Sequence, residues 1–368
     1  MSAVEARRPV PSDFAAPPSQ ADLQRWSDAD AAARPARIAA LRARARAEGL
    51  DALLLTSHAD ARYFSGICFG PNEEPTAGVS GWILISADAF AIFADSRYTV
   101  QARREAALAT PLDPGSDPGA AIAAWAKAHG VRNLGVDPGA IRHAIWERMR
   151  EAAPGLTLTP TKGWGVALRA VKEPAEIERI AAACAVADRA LAGPNAALPH
   201  GNPGARPFQR GEVALFDFGA QVAGYRSDMT RTLFVGAASD LDLALYQRVL
   251  DGQRAAIAAL QHAVENGAPA LPSGRAADDA ARAAMGDVDG VYEHGLGHGI
   301  GLQTHESPSL SRGASEAPLP SPTVFSVEPG IYLEERIGIR IEDLVAVDLA
   351  GRSVSTLTRF PSAPLIVG

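Results

Sequence analysis

The stretch VALFDFGAQVAGYRSDMTRTLFVG spans residues 213–236 and sets two aspartates in apolar surroundings. Its apolar–polar pattern reads as two strands, 213–219 and 225–236, joined by a short turn in an antiparallel hairpin. Each arm carries an aspartate, Asp217 and Asp228, and strand interiors disfavour aspartate. If the hairpin folds about Val222-Ala223, the two sit directly opposite one another, and like charges facing across a strand pair repel. Two such violations at paired positions point to a functional site. A divalent cation between them turns repulsion into coordination.

The oddity recurs downstream. Glu328 closes the apolar strand VFSVEPG (324–330), and Glu342 lies inside IGIRIEDLVAV (337–347). Singly, each acid reads as a strand end, an edge residue or a partner for an arginine such as Arg340; four acids in apolar strands together do not. Between them runs EHGLGHGIGLQTHESP (293–308), with His294, His298 and His305 among glycines, which let backbone approach a ligand or metal closely. Carboxylates with imidazole and no thiolate suit Mn, Fe, Co or Zn. Four acids can serve two cations about 3.5–4 Å apart, the usual two-metal hydrolytic arrangement.

Outward from this region, strand and helix signals alternate in the first half of the chain. A helix over 36–48 is followed by strands DALLLT (51–56), GWILIS (81–86) and AFAIFA (89–94), and by helical patterns at 98–108, 118–129 and 140–152. The alternation predicts an α/β layer domain over 31–162, preceded by a Pro/Ala/Ser-rich stretch, 1–30, expected to be frayed. Residues 163–368 are expected to form an α+β domain with antiparallel strands, opened by a helix over 174–192 and holding a longer one over 240–265.

A chain of 368 residues exceeds one ordinary core. With 47% hydrophobic and 21% charged residues it is globular rather than disordered. The net charge of −7 and the lack of a basic cluster argue against nucleic acid. No apolar run is long enough for a membrane span, and the N-terminus has no apolar leader. Cys68 and Cys184, far apart in apolar surroundings, read as buried thiols in a reducing compartment, so a soluble cytoplasmic protein is expected.

DFGAQVAGYRSDMTRT, HGLGHGIGLQTHESP, SVEPG and RIED, in this order, resemble the pita-bread metallopeptidases, the family of methionine aminopeptidase, aminopeptidase P and prolidase. ARYFSG (61–66), ADSRY (94–98) and RAVKEPAEI (169–177) resemble its Xaa-Pro branch, which carries an N-terminal α/β domain. Creatinase shares the architecture but lacks the ligands. The resemblance implies two divalent metal ions, Mn2+ foremost with Co2+ or Zn2+ as alternatives. Asp217 would chelate one, Asp228 and Glu342 would bridge the pair, and His298 and Glu328 would complete the other. A water between the metals would attack, with Glu328 as general base and acid. His305 and His200 would flank the substrate, His294 would line the pocket, and Arg340 would orient a ligand carboxylate. The implied substrates are small proline-containing peptides. The implied activity leans to Xaa-Pro dipeptidase over aminopeptidase P, and the implied assembly is a homodimer.

One departure stands out. Where the family has a further helix and strand, ACAVADRALA (183–192) runs straight into GPNAALPH (193–200). Either a segment is missing near 192–193, or a real deletion leaves a strand edge unpaired. The alternative from another class is therefore a catalytically inactive pita-bread binding module, against which the retained ligands argue.

Overall fold

The computed structural model describes residues 18–70, 77–192, 208–333 and 336–367. They divide into two compact units, Ser27–Arg169 and a second that joins the residues up to Trp26 to those from Ala170 onward. The division expected at 162–163 thus falls at Arg169–Ala170. His200 and the expected junction at 192–193 lie outside the residues whose side chains are described.

In chain order the first elements are α1 (Gln20–Ala47), β1 (Ala52–Leu55), α2 (His58–Ser65), β2 (Ile83–Ser86), β3 (Phe90–Phe93), α3 (Thr99–Glu105), β4 (Thr110–Leu112), α4 (Pro118–Ala128), β5 (Asn133–Val136), α5 (His143–Ala152), β6 (Thr157–Pro160) and α6 (Trp164–Ala170). The strands form one mixed sheet in the order β4-β3-β2-β1-β5-β6. Every residue of β1, β2 and β3 is buried, which is why these strands read as unbroken apolar runs rather than as alternation. Ile122 and Trp125 of α4 and Ile145 and Met149 of α5 pack against Leu54, Leu84 and Phe93. Asp117 caps α4 by accepting from the Ala120 N–H, with Pro118 in the first turn.

Two expectations are corrected by the fold. The stretch expected to be frayed through residue 30 already becomes helix at Gln20. Cys68 is exposed, not buried; it lies just past Gly66, whose left-handed backbone ends α2, and its sulfur faces the Arg62 guanidinium. Cys184 is buried, and neither cysteine is in a disulfide.

The remaining elements are α7 (Pro174–Ala192), β7 (Val213–Phe218), β8 (Gln221–Val222), β9 (Tyr225–Arg226), β10 (Met229–Val235), α8 (Asp240–Glu265), α9 (Gly274–Met285), β11 (Gly297–Gly299), β12 (Glu306–Leu310), β13 (Thr323–Val327), β14 (Gly330–Leu333), β15 (Ile337–Arg340), β16 (Asp343–Asp348), β17 (Ser353–Thr356) and β18 (Leu365–Val367). They build sheets β12-β11-β13-β16-β17 and β18-β10-β7 and the ribbons β8-β9 and β14-β15. Pairing is antiparallel as expected, except that β18 runs parallel to β10. Ser239 and Ser273 cap α8 and α9 through their hydroxyls. Val249 and Leu260 of α8 and Ala277 and Ala281 of α9 share a core with Phe325, Val327, Ile341 and Val345. Strand residues two apart share a face. With Phe325 and Val327 committed to that core, Ser326 and Glu328 face the other way.

The hairpin register differs from the expected one. Asp217 pairs with Thr230 and Val222 with Tyr225, so the turn is Ala223-Gly224, not Val222-Ala223. Both turn residues have positive φ, 47° and 84°, as a type I′ turn requires. Gly224 adopts that region freely, whereas a β-branched valine resists it. Asp228 therefore lies diagonal to Asp217 rather than directly across from it.

Candidate metal centre

The ribbons bring a cluster of acids around one imidazole. One oxygen each of Asp228 and Glu342 and a ring nitrogen of His298 lie within 4.8 Å of one another. Glu328 Oε1 stands 3.3 Å from His298 Nε2, and Asp228 Oδ2 3.9 Å from it. Asp217, half exposed, turns its Oδ2 to Arg340, which donates to it at 2.6 Å. His305 stacks beside His298 with ring centroids 4.1 Å apart. His294 is set back, with Nε2 2.9 Å from the Tyr332 hydroxyl.

Protonation follows from the contacts. His298 Nδ1 lies 3.1 Å from the Gly299 carbonyl, so the ring proton belongs on Nδ1 and Nε2 presents a lone pair. Burial lowers the pKa of His298 and of His305, which favours neutral rings. Burial, then the Asp217 and Glu328 charges, pushes Asp228 up to about 7. Burial also raises Glu328, against a hydrogen bond from Ser326. Glu342 is raised well above the usual carboxylate range by burial and by Glu328 and Asp228.

These residues fit a bound cation. Once the carboxyl groups are ionised, a neutral nitrogen lone pair aimed at their oxygens is acceptor against acceptor unless a positive charge lies between. Glu342 Oε1 is buried without a hydrogen-bond partner, which an uncompensated acceptor does not tolerate cheaply. Among the described residues no lysine or arginine forms an ion pair with Asp228 or Glu342. Asp228, His298 and Glu342 together offer the oxygen and nitrogen donors that Mn, Co or Zn accepts.

Three residues that the sequence did not single out hold the acids in place. Thr230 Oγ1 donates to Glu342 Oε2 at 2.6 Å and accepts from Arg340 Nε at 2.9 Å. Ser326 Oγ donates to Glu328 Oε1 at 2.9 Å and accepts from the His298 N–H at 3.0 Å, tying β11 to the end of β13. The Tyr332 hydroxyl accepts from Arg340 and faces His294. Thr230 lies two residues after Asp228 and Ser326 two before Glu328. The period-two rule for strand faces therefore points to both; Tyr332 reaches the site only through the β14–β15 ribbon.

Ser326→Ala is expected to weaken Mn2+ binding by about 10- to 100-fold, as loss of a group orienting metal ligands does. Ser326→Thr keeps the hydroxyl and should restore most of it. Titration calorimetry checks this, and equal affinity in all three proteins would refute the role.

Buried carboxylates around a neutral imidazole, mounted on antiparallel ribbons, define a metal-dependent hydrolase centre. The sequence profile of metallopeptidase family M24 matches residues 139–348, and that of the creatinase/prolidase N-terminal domain matches 37–171. The chain belongs to metallopeptidase family M24. It is a peptidase with an α/β N-terminal domain and a pita-bread catalytic domain. The uncharacterized peptidase YqhT of Bacillus subtilis is 29% identical, over 87% of this chain and 96% of its own. That alignment runs 361 positions, more than 87% of 368 residues supplies, so YqhT has stretches without a counterpart in this chain. Among solved structures, the Xaa-Pro dipeptidase from Bacillus anthracis is 26% identical with a TM-score of 0.77, covering 91% of this chain and 100% of its own. The X-Pro aminopeptidase from Thermotoga maritima is 28% identical with a TM-score of 0.70, covering 87% and 98%.

Proposed function

We propose that the protein is a dinuclear-metal exopeptidase for Xaa-Pro bonds, acting foremost as an Xaa-Pro dipeptidase on small proline-containing peptides. The observation that carries this reading is the unpartnered Glu342 Oε1 beside Asp228 and His298, in a chain similar to an Xaa-Pro dipeptidase over 91% of its length. Asp217, Asp228, His298, Glu328 and Glu342 would hold two divalent ions, Mn2+ foremost. When bound, the ions supply a positive field that acidifies water and polarises a carbonyl.

The chain's own groups do the rest. Glu328, its pKa raised by burial, takes the proton of the attacking water and delivers it to the departing proline nitrogen. His305, beside His298, donates to the oxygen on which charge develops. Arg340 holds Asp217 and, through Thr230, Glu342. The Tyr332 hydroxyl links Arg340 to His294 at the edge of the site. An Xaa-Pro bond has no N–H at the scissile nitrogen, so a site that works on the carbonyl from the acid cluster needs no donor there. Assembly as a homodimer in the cytoplasm belongs to the same proposal. No described helix is long and apolar enough to cross a membrane.

Turnover of Ala-Pro and of Xaa-Pro-Yaa tripeptides, with and without added Mn2+, tests the reading. Metal-dependent cleavage of Ala-Pro well above that of tripeptides is expected. The opposite preference assigns the aminopeptidase activity, and no cleavage of either by metal-loaded protein overturns the proposal.

A further inference from the structure

The start of α1 lies ahead of the matched N-terminal-domain region, which begins at residue 37. Its first turns cluster not with the α/β unit but with the catalytic one. Trp26, only 4% exposed, packs with Leu23 against Ala183 of α7 and against Val222 and Ala223 of the hairpin. Its indole N–H donates to Glu178 Oε2 at 2.7 Å, and Arg25 donates to the same oxygen at 2.5 Å.

What Trp26 covers is the tip of the ribbon whose arms carry Asp217 and Asp228. That tip is unfavourable in two ways. Ala223 is held at φ 47°, in the left-handed region that L-residues other than glycine avoid. Strands β8 and β9 pair through two residues each, and so short a ribbon is not stable by itself. The Tyr225 hydroxyl donates to Glu176 Oε1 at 2.9 Å and Arg179 lies over the Tyr225 ring, so α7 secures one strand of the tip. Val222 of the other strand and Ala223 of the turn share one small apolar cluster with Trp26 and with Ala183 of α7, so helix and indole together cover that side.

We propose that residues 19–26 are a positioning strap: Trp26, anchored on Glu178, clamps the hairpin tip and thereby sets the spacing of Asp217 and Asp228. The effect on metal affinity rests on the metal-site reading above; the clamp on the hairpin does not.

The test uses the full chain with Trp26→Ala and Trp26→Phe and reads amide hydrogen exchange together with Mn2+ affinity. In metal-free Trp26→Ala, exchange across 219–228 is expected to rise by about tenfold or more, with the strands β1 and β5 unchanged. Mn2+ binding should weaken by about tenfold. Trp26→Phe, which keeps a ring but loses the indole donor, should fall between. Adding Ala223→Gly, which removes the left-handed penalty, should recover part of the protection. Unchanged exchange at 219–228, or an increase spread evenly over the catalytic unit, overturns the strap. Should Trp26→Ala not fold, Glu178→Gln weakens the anchor alone and is read in the same way. A strap effect in a protein that cleaves no Xaa-Pro peptide removes the substrate reading and leaves the strap; cleavage with unchanged exchange does the reverse.

Discussion

Glu342→Gln is expected to raise the stability of the metal-free protein while reducing divalent-metal affinity by two orders of magnitude or more. The carboxylate is buried, one oxygen has no partner, and Glu328 and Asp228 press their charges on it. An isosteric amide removes that charge and keeps an oxygen to accept from Thr230. The gain should be about 1–3 kcal/mol, the usual range for relieving a buried uncompensated polar group, or a few degrees in Tm.

Its pH dependence has a definite sign. Glu342 and Asp228 have folded-state pKa values above their unfolded ones, Asp228 at about 7 against 3.8. Across that interval the folded chain binds more protons than the unfolded chain, so stability falls as pH rises. The destabilisation is absent below the unfolded pKa and complete only above the folded one. The advantage of the Gln variant should therefore be absent below the unfolded carboxylate pKa and grow as pH rises toward the raised folded pKa of Glu342. Saturating Mn2+ should reverse the order, because the wild type, binding more tightly, gains more binding free energy than the variant. Thermal melts across pH, with and without Mn2+, decide it; an advantage independent of pH would rule out the buried carboxylate charge as its source.

Arg231→Met is expected to lower stability by about 3–5 kcal/mol, the scale for stranding one member of a buried ion pair. Arg231 is 1% exposed and contacts Asp343 Oδ1 at 2.6 Å. It also donates to the carbonyls of Glu342, Phe360 and Pro361, stitching β10 to β16 and to the chain's last turn. Without it, Asp343 retains Gln253 and Thr358 as donors but no cation. Arg231→Met with Asp343→Asn removes both charges and should recover part of the loss. Urea midpoints measure both, and a single-variant loss below about 1 kcal/mol would show that the pair contributes little. Because Asp343 adjoins Glu342, the same variant should also weaken metal binding.

The acids of the site were legible because each breaks a local rule. Asp217, Asp228, Glu328 and Glu342 are charges embedded in apolar runs of sequence, Asp217 within β7 and the others immediately beside β10, β13 and β16, and His298 sits among glycines that let β11 press against its neighbours. A Cβ on Gly297 would lie 1.9 Å from the Ser326 carbonyl oxygen. Buried strands β1 to β3 were legible as unbroken apolar runs. The helix that starts at Gln20 was not, because its sequence carries the Pro/Ala/Ser signature of a loose terminus and gains order from Trp26 contacts with residues far along the chain. The exposure of Cys68 was missed for a related reason, since apolar neighbours in sequence do not settle which way a residue faces past a left-handed glycine.

Residue type and spacing alone pointed to Asp217, Asp228, His298, Glu328 and Glu342 as the candidate site, because carboxylates recurring in apolar runs are too unfavourable to occur repeatedly without a compensating charge. Tertiary structure alone decided the hairpin register, the pairing of Asp217 with Arg340, and the hydroxyls of Thr230, Ser326 and Tyr332 that aim the cluster. Register depends on which turn residues tolerate positive φ, and aim depends on contacts between ribbons distant in sequence. Neither quantity is a property of any local stretch of chain.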